Sequence, residues 1–278
     1  MYQEMVLYIE ACESGSMFDG ILANDINVYA VTAANPTESS WGTYCPPDDM
    51  VNGVEINSCL GDLFSVNWME DAEKYSPAKE TLDQQFGRVL NETAQSHVMR
   101  YGDLKFVKEP VGNFYGNLSA KSEDESTEGF FELLFSQAKL QYGLEQSVPS
   151  ETTDPKRHIS AVSSRDVKLN HLYAVVQRKK SHKAQLDLSF EVTKRMRTDH
   201  VFEAFNAALG FNGLQTEEPA KPRNFDCLKS LMSTFDKSCG RMDDYSLQFV
   251  KHFVQACETS GFQPDGLIHA IKYACSAY

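Results

Sequence analysis

The stretch Met5-Val6-Leu7-Tyr8-Ile9 is an apolar run with no polar alternation, and it predicts a buried β-strand. A similar run, Ile26-Asn27-Val28-Tyr29-Ala30-Val31, follows after a connection long enough for a crossover. Two such runs indicate a parallel sheet that is covered on both faces, so we predict an α/β fold for the first part of the chain. Because one strand cannot bury itself alone, we expect a chain that begins in a core strand to be part of something longer.

Turn-forming residues dominate the segment after these strands. The sequences Asn35-Pro36, Cys45-Pro46-Pro47-Asp48-Asp49 and Asn52-Gly53 predict a long loop region, and apolar packing resumes over residues 60–71. A polar stretch at residues 147–155 indicates a domain boundary near residue 150.

The C-terminal part has the 3.6-residue periodicity of packed helices. Apolar residues and cysteines recur at this spacing over residues 227–239, 249–257 and 267–275, and Gly240 and Gly261 separate these segments. We therefore predict a small all-α bundle here, with a helical pattern that starts at about residue 160.

The formal net charge of −13 argues against nucleic acid as the main partner, because neutralising phosphates needs a basic surface. The charge is uneven: residues 1–150 hold 8 Lys and Arg against 24 Asp and Glu, whereas residues 151–200 hold 11 against 6. We expect the basic segment and the acidic body to attract each other, the alternative being a solvated basic helix. No stretch approaches the ~18 consecutive apolar residues of a membrane span, so we expect no transmembrane helix.

Seven cysteines bear on the compartment and on metal binding. Cys45 and Cys59 flank the long loop and are placed to close it. The four in the predicted bundle are Cys227, Cys239, Cys257 and Cys275. None forms a Cys-x-x-Cys pair, so we predict no metal site. We favour an oxidising, secretory-route protein with up to three disulfides over buried free thiols. Glycosylation sequons at Asn91 and Asn117 fit this route.

The odd cysteine, Cys12, follows the first strand in the sequence Glu10-Ala11-Cys12-Glu13-Ser14-Gly15-Ser16. Reacting groups lie at the carboxyl ends of parallel strands in α/β sheets. A helix that began just after Cys12 would favour the thiolate, and the backbone N–H of Cys12 is placed to stabilise an oxyanion. On these grounds alone, a single cysteine after a strand is more often structural than catalytic.

This motif resembles the nucleophile motif of legumains, the asparaginyl endopeptidases that include the plant vacuolar processing enzymes. Residues 28–36, with Glu38-Ser39-Ser40, resemble the strand and loop that follow it in that family. Further similar segments, in the family's order, are residues 41–45, 59–62, 65–71, 96–99 and 101–102. The spacing of the four C-terminal cysteines resembles the family's helical prodomain. The resemblance thus spans most of the chain and is weakest over residues 104–220.

The resemblance implies a caspase-like parallel-sheet catalytic domain, of which residues 1–150 are the C-terminal part. It implies a basic activation segment or linker over residues 151–220 and an all-α prodomain over residues 221–278. It also implies the disulfides Cys45–Cys59, Cys227–Cys257 and Cys239–Cys275.

Carried over residue by residue, the resemblance makes Cys12 the nucleophile. It places Glu10, Ser40 and Asp62 in the pocket for the residue before the scissile bond. Ser39 would help to hold the substrate backbone. An asparagine side chain offers N–H donors and a carbonyl acceptor, so carboxylates serve the first and a cation the second. Without the resemblance, a loop cap is the simpler role for Asp62. No cofactor is implied.

The implied function is a cysteine endopeptidase, made as a zymogen, that cleaves proteins after asparagine and less readily after aspartate. The implied location is the vacuole, reached through the secretory pathway. The expected partners are protein and peptide substrates and the chain's own C-terminal prosegment, with neither nucleic acid nor membrane; the resemblance allows a homodimer of the zymogen.

The family's catalytic histidine and pocket arginine come from strands before the nucleophile strand, and we do not find these strands in the sequence. None of the seven histidines is a credible base for Cys12, so we predict that the chain is inactive as it stands. The alternative is a non-catalytic relative that binds and caps an active legumain. A caspase would carry a Gln-Ala-Cys signature, and a lipid-anchor transamidase would carry a membrane segment.

The charge distribution predicts an electrostatic latch in the zymogen. We expect the basic segment to lie against the acidic body and to block Cys12. The predicted latch cations are Lys179, Lys180, Lys194 and Arg195.

Overall fold

The computed structural model describes residues 2–115, 160–211 and 220–276. The chain divides into two compact units, Met1–His171 and Leu172–Tyr278. Over the described ranges, no helix is both long enough and apolar enough to cross a bilayer. The strands are β1 (Met5–Ile9), β2 (Val28–Thr32), β3 (Trp41–Thr43), β4 (Met50–Val51), β5 (Val54–Glu55), β6 (Gly61–Asp62), β7 (Met99–Gly102) and β8 (Val162–Ser163). The helices are α1 (Leu63–Lys74), α2 (Leu82–Glu92), α3 (Val167–Lys179), α4 (His182–Ala208), α5 (Phe225–Ser238), α6 (Val250–Glu258) and α7 (Pro264–Ser276).

The main sheet of the first unit has the strand order β1-β2-β7. β1 and β2 run parallel, with Met5 opposite Val28 and Ile9 opposite Thr32, which confirms the predicted parallel pair. β7 lies on the other side of β2 and is antiparallel, so the sheet is mixed where a parallel sheet was predicted. All of β2 is buried, whereas β1 is half-buried, because β2 is the central strand. The carboxyl ends of β1 and β2 therefore lie side by side, and Cys12 follows directly.

The predicted long loop contains short strands. β3 pairs with β6 on one edge and with β8 on the other, and β4 and β5 form a hairpin. Asn52 and Gly53 turn this hairpin with φ values of 50° and 77°. Two positive values in succession are what a type I′ turn requires. The loop prediction was wrong for these strands because each has only two or three residues and is defined by its pairing partner.

The core of the first unit joins the central strand to two helices. Tyr29 of β2, Phe64 of α1 and Leu82 of α2 belong to one buried cluster and are at most 1% exposed. α1 confirms that apolar packing resumes after the loop region. α2 begins with a capping box, in which the Thr81 side chain accepts from the backbone N–H of Gln84 and the Gln84 side chain accepts from that of Thr81. This cap fixes the start of the helix that covers the strand.

The second unit is a helical bundle with one large buried cluster. Leu231 of α5, Phe253 of α6 and Ile271 of α7 are at most 1% exposed, so each predicted apolar stripe forms the core. Gly240 and Gly261 have φ values of 100° and 101°. A residue in this conformation ends a helix without strain only if it is glycine. The three predicted C-terminal helices are therefore confirmed.

All seven cysteines lie in the described ranges, and six of them form disulfides. The pairs are Cys45–Cys59, Cys227–Cys257 and Cys239–Cys275. These are the pairs that the resemblance implied. The first closes the segment that contains the β4-β5 hairpin, and the other two link α5 to α6 and the end of α5 to α7. Cys12 remains as the chain's single free cysteine.

The segment predicted as a basic linker, residues 151–220, contains α3 and the 27-residue helix α4. The helical pattern expected from about residue 160 begins at Val167, because β8 and a short 3-10 turn precede it. The boundary predicted near residue 150 lies outside the described residues. The division into two compact units falls between His171 and Leu172.

Candidate active site

The loop that carries Cys12 is held against the loop that follows β2. The backbone N–H of Gly15 donates to the Ala34 carbonyl at 3.0 Å, and the Ser14 hydroxyl accepts from the backbone N–H of Ala34 at 3.1 Å. A Cβ atom at Gly15 would lie 2.6 Å from the Tyr101 hydroxyl, so only glycine fits there. The helix expected after Cys12 is a four-residue 3-10 turn, Ser14–Met17. These contacts fix Cys12 at the carboxyl end of the parallel pair.

Serine hydroxyls surround the thiol of Cys12. Its Sγ lies 3.2 Å from Ser39 Oγ and 3.6 Å from Ser40 Oγ. Ser39 Oγ is in turn 2.8 Å from Ser163 Oγ, and Ser40 Oγ is 2.9 Å from Ser164 Oγ. Ser40 is only 2% exposed. The structure therefore brings together Cys12, Ser39 and Ser40, three residues that the resemblance assigned to the site, and adds Ser163 and Ser164.

Glu10 is a half-buried carboxyl two residues before Cys12. Its Oε2 accepts from the backbone N–H of Ser65 at 2.8 Å and from the Ser65 hydroxyl at 2.9 Å. Its Oε1 is buried and has no hydrogen-bond partner among the described residues. Burial raises the pKa of Glu10 to about 7, against the lowering effect of the Ser65 hydrogen bonds, and the nearby charge of Asp62 raises it further. Glu10 thus presents one unused acceptor atom whose charge depends on pH.

Asp62 lies at the end of β6, opposite Gly42 of β3. Partial burial of its carboxyl raises its pKa. Its charge acts on Glu10, so the structure brings these two predicted pocket residues near each other. Asp62 precedes α1, yet its side chain makes no capping hydrogen bond to that helix. The simpler role of a helix or loop cap is therefore not supported at this helix.

A second segment of the first unit, residues 160–166, lies across this site. β8 pairs with β3, and the backbone N–H of Ser164 donates to the Ser40 carbonyl at 2.9 Å. Arg165 Nη2 lies 2.7 Å from Oε2 of Glu13, the residue next to Cys12. The sequence did not single out Ser163, Ser164 or Arg165, because their partners lie more than a hundred residues away.

Three of the described histidines contact groups other than Cys12. His97 Nδ1 lies 2.9 Å from Glu38 Oε2, and His171 Nδ1 contacts the Asn57 carbonyl. His252 is buried against Asn206, and burial lowers its pKa to about 4. Within the described ranges, the hydrogen-bond contacts of Cys12 Sγ are the two serine hydroxyls. His158 lies outside those ranges.

The two glycosylation sequons differ in what the structure describes. Asn91 is exposed near the end of α2, as a glycan would require. The Thr93 hydroxyl of the same sequon is buried and accepts from Asn67 Nδ2 at 2.9 Å. Asn117 lies outside the described residues. Glycosylation at both positions stays a prediction.

The predicted latch cations can be compared with the observed ion pairs. Lys194 Nζ pairs with Asp243 and Arg195 pairs with Glu191, in both cases within the helical unit. The pairing of these cations with the acidic body stays a prediction. The ion pair that lies beside Cys12 is Arg165 with Glu13.

Two family models match the chain in succession. Residues 1–119 match the Peptidase C13 family, and residues 175–275 match the legumain prodomain. The first match contains Cys12, Ser39, Ser40 and Asp62, and the second contains the disulfide-linked bundle.

Several plant proteins are similar to nearly the whole chain. A vacuolar-processing enzyme of Vicia sativa is 31% identical over 293 residues, which covers 99% of this chain and 55% of that protein. Legumain of Canavalia ensiformis is 32% identical over 298 residues, covering 100% of this chain and 57% of that protein. A vacuolar-processing enzyme of Citrus sinensis is 34% identical over 292 residues, covering 99% and 54%.

The chain thus spans about half the length of the curated relatives it matches. The order of the two family models agrees with the order of the two compact units. Together with the relatives, the models show that this chain belongs to the legumain family of C13 cysteine peptidases.

Proposed function

We propose that this chain is a cysteine endopeptidase that cleaves protein bonds after asparagine, and less readily after aspartate, with Cys12 as the nucleophile. The observation that carries the proposal is the place of Cys12: a free thiol at the carboxyl end of β1, 3.2 Å from the Ser39 hydroxyl. The family adds support, because its members are cysteine peptidases.

In the proposed reaction, the Cys12 thiolate attacks the carbonyl carbon of the asparagine residue. The S–C bond forms, the C–N bond breaks, and the amine leaves with a proton. Water then hydrolyses the thioester and restores the thiol. Ser39 would hold the substrate backbone beside the thiol, and the backbone N–H of Cys12 would stabilise the developing oxyanion.

The proposed asparagine pocket uses Glu10, Ser40 and Asp62. Glu10 Oε1 is buried with no hydrogen-bond partner among the described residues, so a substrate amide N–H can satisfy it. Below about pH 7 Glu10 is protonated, since burial raises its pKa to about 7. A protonated Glu10 can donate to an aspartate carboxylate, which gives a physical reason for the weaker second specificity.

We further propose that the enzyme is made as a zymogen whose own prosegment covers the site. The strand pairing of β8 with β3 and the Arg165–Glu13 ion pair beside Cys12 support this. The names of the relatives suggest a vacuolar location reached by the secretory route, and the three disulfides agree with that route.

Inactivity of the chain as it stands remains a prediction. No described histidine lies within hydrogen-bond distance of Cys12 Sγ, and a thiol without its base loses several powers of ten in rate. The alternative of a non-catalytic capping protein is not favoured, because the relatives carry the names of enzymes.

The proposal is tested by covalent labelling, which does not need turnover. Peptide chloromethyl ketones that end in asparagine or in glutamine are compared, with mass spectrometry to locate the adduct. We expect Cys12 to react at least about tenfold faster with the asparagine reagent, because one extra methylene is worth about 1–3 kcal/mol in a fitted pocket. Cys12→Ser should remove the adduct. Equal rates for the two reagents would contradict the asparagine pocket.

The proposed covering of Cys12 by residues 160–166 is tested in the same labelling assay. Arg165→Gln should speed labelling of Cys12 because it removes the ion pair with Glu13. Arg241→Gln, which changes an exposed arginine of the helical unit, is the matched control. Equal rates for the two variants would remove the proposed role of Arg165.

A further inference from the structure

One carboxylate outside the proposed substrate pocket links three segments beside Cys12. Glu38 Oε1 accepts from the backbone N–H of Asn35 at 2.8 Å and from that of His97 at 2.8 Å. Glu38 Oε2 lies 2.9 Å from His97 Nδ1. The backbone carbonyl of Glu38 accepts from the N–H of Glu13 at 2.7 Å. The hydrogen-bond partners of Glu38 therefore come from the loop that carries Cys12, from the loop after β2 and from the turn before β7.

These contacts position the backbone beside Cys12 and beside Ser39. Glu38 directly precedes Ser39, whose hydroxyl is 3.2 Å from Cys12 Sγ, and its carbonyl binds the residue directly after Cys12. The turn before β7 is fixed in turn by the buried Ser96 hydroxyl, which donates to the Ala33 carbonyl at 2.6 Å. A shift of Glu38 would therefore move both sides of the thiol-serine contact.

We infer that Glu38 and His97 form a positioning pair, which sets the distance between Cys12 and Ser39 and thereby the fit of a peptide substrate. The inference rests on the proposed function, because it concerns the same site. Neither residue touches the thiol in the structure. Their effect is transmitted through the backbone of residues 35–39 and through the Glu13 N–H.

The pair is sensitive to pH. The Glu38 carboxylate raises the pKa of His97, so His97 is charged in acid and loses its charge as the pH rises through its folded pKa. The hydrogen bonds from Asn35 and His97 lower the pKa of Glu38 although partial burial opposes them. On the neighbouring elements, Glu13 pairs with Arg165 and Arg100 pairs with Asp83. The charge beside Glu38 that is lost as the pH rises is therefore that of His97.

The test compares two reagents on the single free thiol of the intact chain. The labelling rate with iodoacetamide measures the intrinsic reactivity of the Cys12 thiol. The labelling rate with the asparagine chloromethyl ketone depends both on that reactivity and on how well the peptide binds. The ratio of the two rates is measured at several pH values. We expect Glu38→Ala to lower this ratio about tenfold and His97→Ala about threefold, since charge-assisted hydrogen bonds are the stronger kind and the histidine is exposed.

Conservative variants separate positioning from folding. His97→Asn keeps a side-chain donor, so it should restore the ratio and remove the part of its pH dependence that comes from His97. The change due to Glu10 is common to all these variants, so the wild-type ratio should fall more steeply than the His97→Ala ratio as His97 loses its proton. His269→Ala, an exposed histidine on α7, is the matched control and should behave as wild type. A wild-type-like ratio in His97→Ala, or failure of His97→Asn to restore it, would overturn the inference.

A second measurement separates this inference from the proposed function. Hydrogen exchange of the peptides that contain the Glu13 and Asn35 amides should speed up in His97→Ala and return to normal in His97→Asn. If wild-type Cys12 shows no preference for the asparagine reagent, the proposed function is contradicted. The exchange result still tests whether His97 holds the backbone at Glu13 and Asn35. If the preference for asparagine is present but His97→Ala changes neither the ratio of labelling rates nor the hydrogen exchange, the positioning role of Glu38 and His97 is contradicted while the proposed function stands.

Discussion

Replacing Glu10 by glutamine should make the first unit more stable at neutral pH and leave it unchanged in acid. Glutamine has the shape of a protonated carboxyl and can still accept the hydrogen bond of the Ser65 N–H. The folded pKa of Glu10 is about 7 because of burial, against an ordinary value of 4.5. The folded state therefore holds this proton more tightly than the unfolded state does. As the pH rises from about 4.5 to about 7, the wild type loses stability that the variant keeps.

The magnitude follows from the two pKa values. Their difference corresponds to about 3 kcal/mol at most, at 1.36 kcal/mol for each tenfold change in proton affinity. The assay is urea unfolding followed by tryptophan fluorescence. The chain has two tryptophans, Trp41 and Trp68, and both lie in the first unit, so the signal reports that unit alone. Asp25→Asn, at an exposed loop carboxyl, is the matched control. A constant stability difference between wild type and Glu10→Gln across this pH range would refute the buried, protonated Glu10.

Three further predictions concern the helical unit. Phe253→Ala should destabilise it by about 3–5 kcal/mol in thermal unfolding followed by circular dichroism, because Phe253 is fully buried, whereas Leu247→Ala at a 42% exposed position should cost less than about 1 kcal/mol. Asp243→Asn should cost about 1 kcal/mol near neutral pH. Lys194 and Ser246 lower the Asp243 pKa to about 2 although burial opposes them, so this loss should shrink as the pH falls from about 4 to about 2; a loss independent of pH would contradict it. Replacing Cys239 and Cys275 together by serine should lower stability by about 2–4 kcal/mol, and an unchanged denaturation midpoint would show that this disulfide does not constrain the unfolded chain.

Some elements could be predicted from the sequence because their signal is local. β1 has the predicted bounds since five consecutive apolar residues are enough to define a buried strand. The helices of the bundle were predicted for the same reason, as each buries one apolar stripe of many residues. The disulfide pairing could not be deduced from the spacing, because four cysteines allow three pairings, and it was obtained from the family resemblance.

Other elements depend on contacts between distant residues. β3 and β8 have three and two residues and exist because they pair, although more than a hundred residues separate Trp41 from Ser163. Arg165 has no local pattern that distinguishes it from the other cations of the basic segment. Its role depends on the pairing of β8, which brings it to Glu13. The charge count predicted attraction between the basic segment and the acidic body, but it could not identify which cation lies beside Cys12.

The pKa values of two half-buried carboxyls, Glu10 in the first unit and Asp243 in the helical unit, shift in opposite directions, and together they define a pH range. Glu10 makes the first unit most stable below about pH 4.5, because the folded state retains its proton as the pH rises towards about 7. Asp243 contributes fully to the helical unit above about pH 3.8 and loses this contribution as the pH falls towards 2. Both contributions are favourable together only in mild acid. The same range charges His97 beside Glu38 and protonates Glu10 in the proposed pocket. The electrostatics of the site and of the folded units thus agree with the acidic environment proposed for this chain.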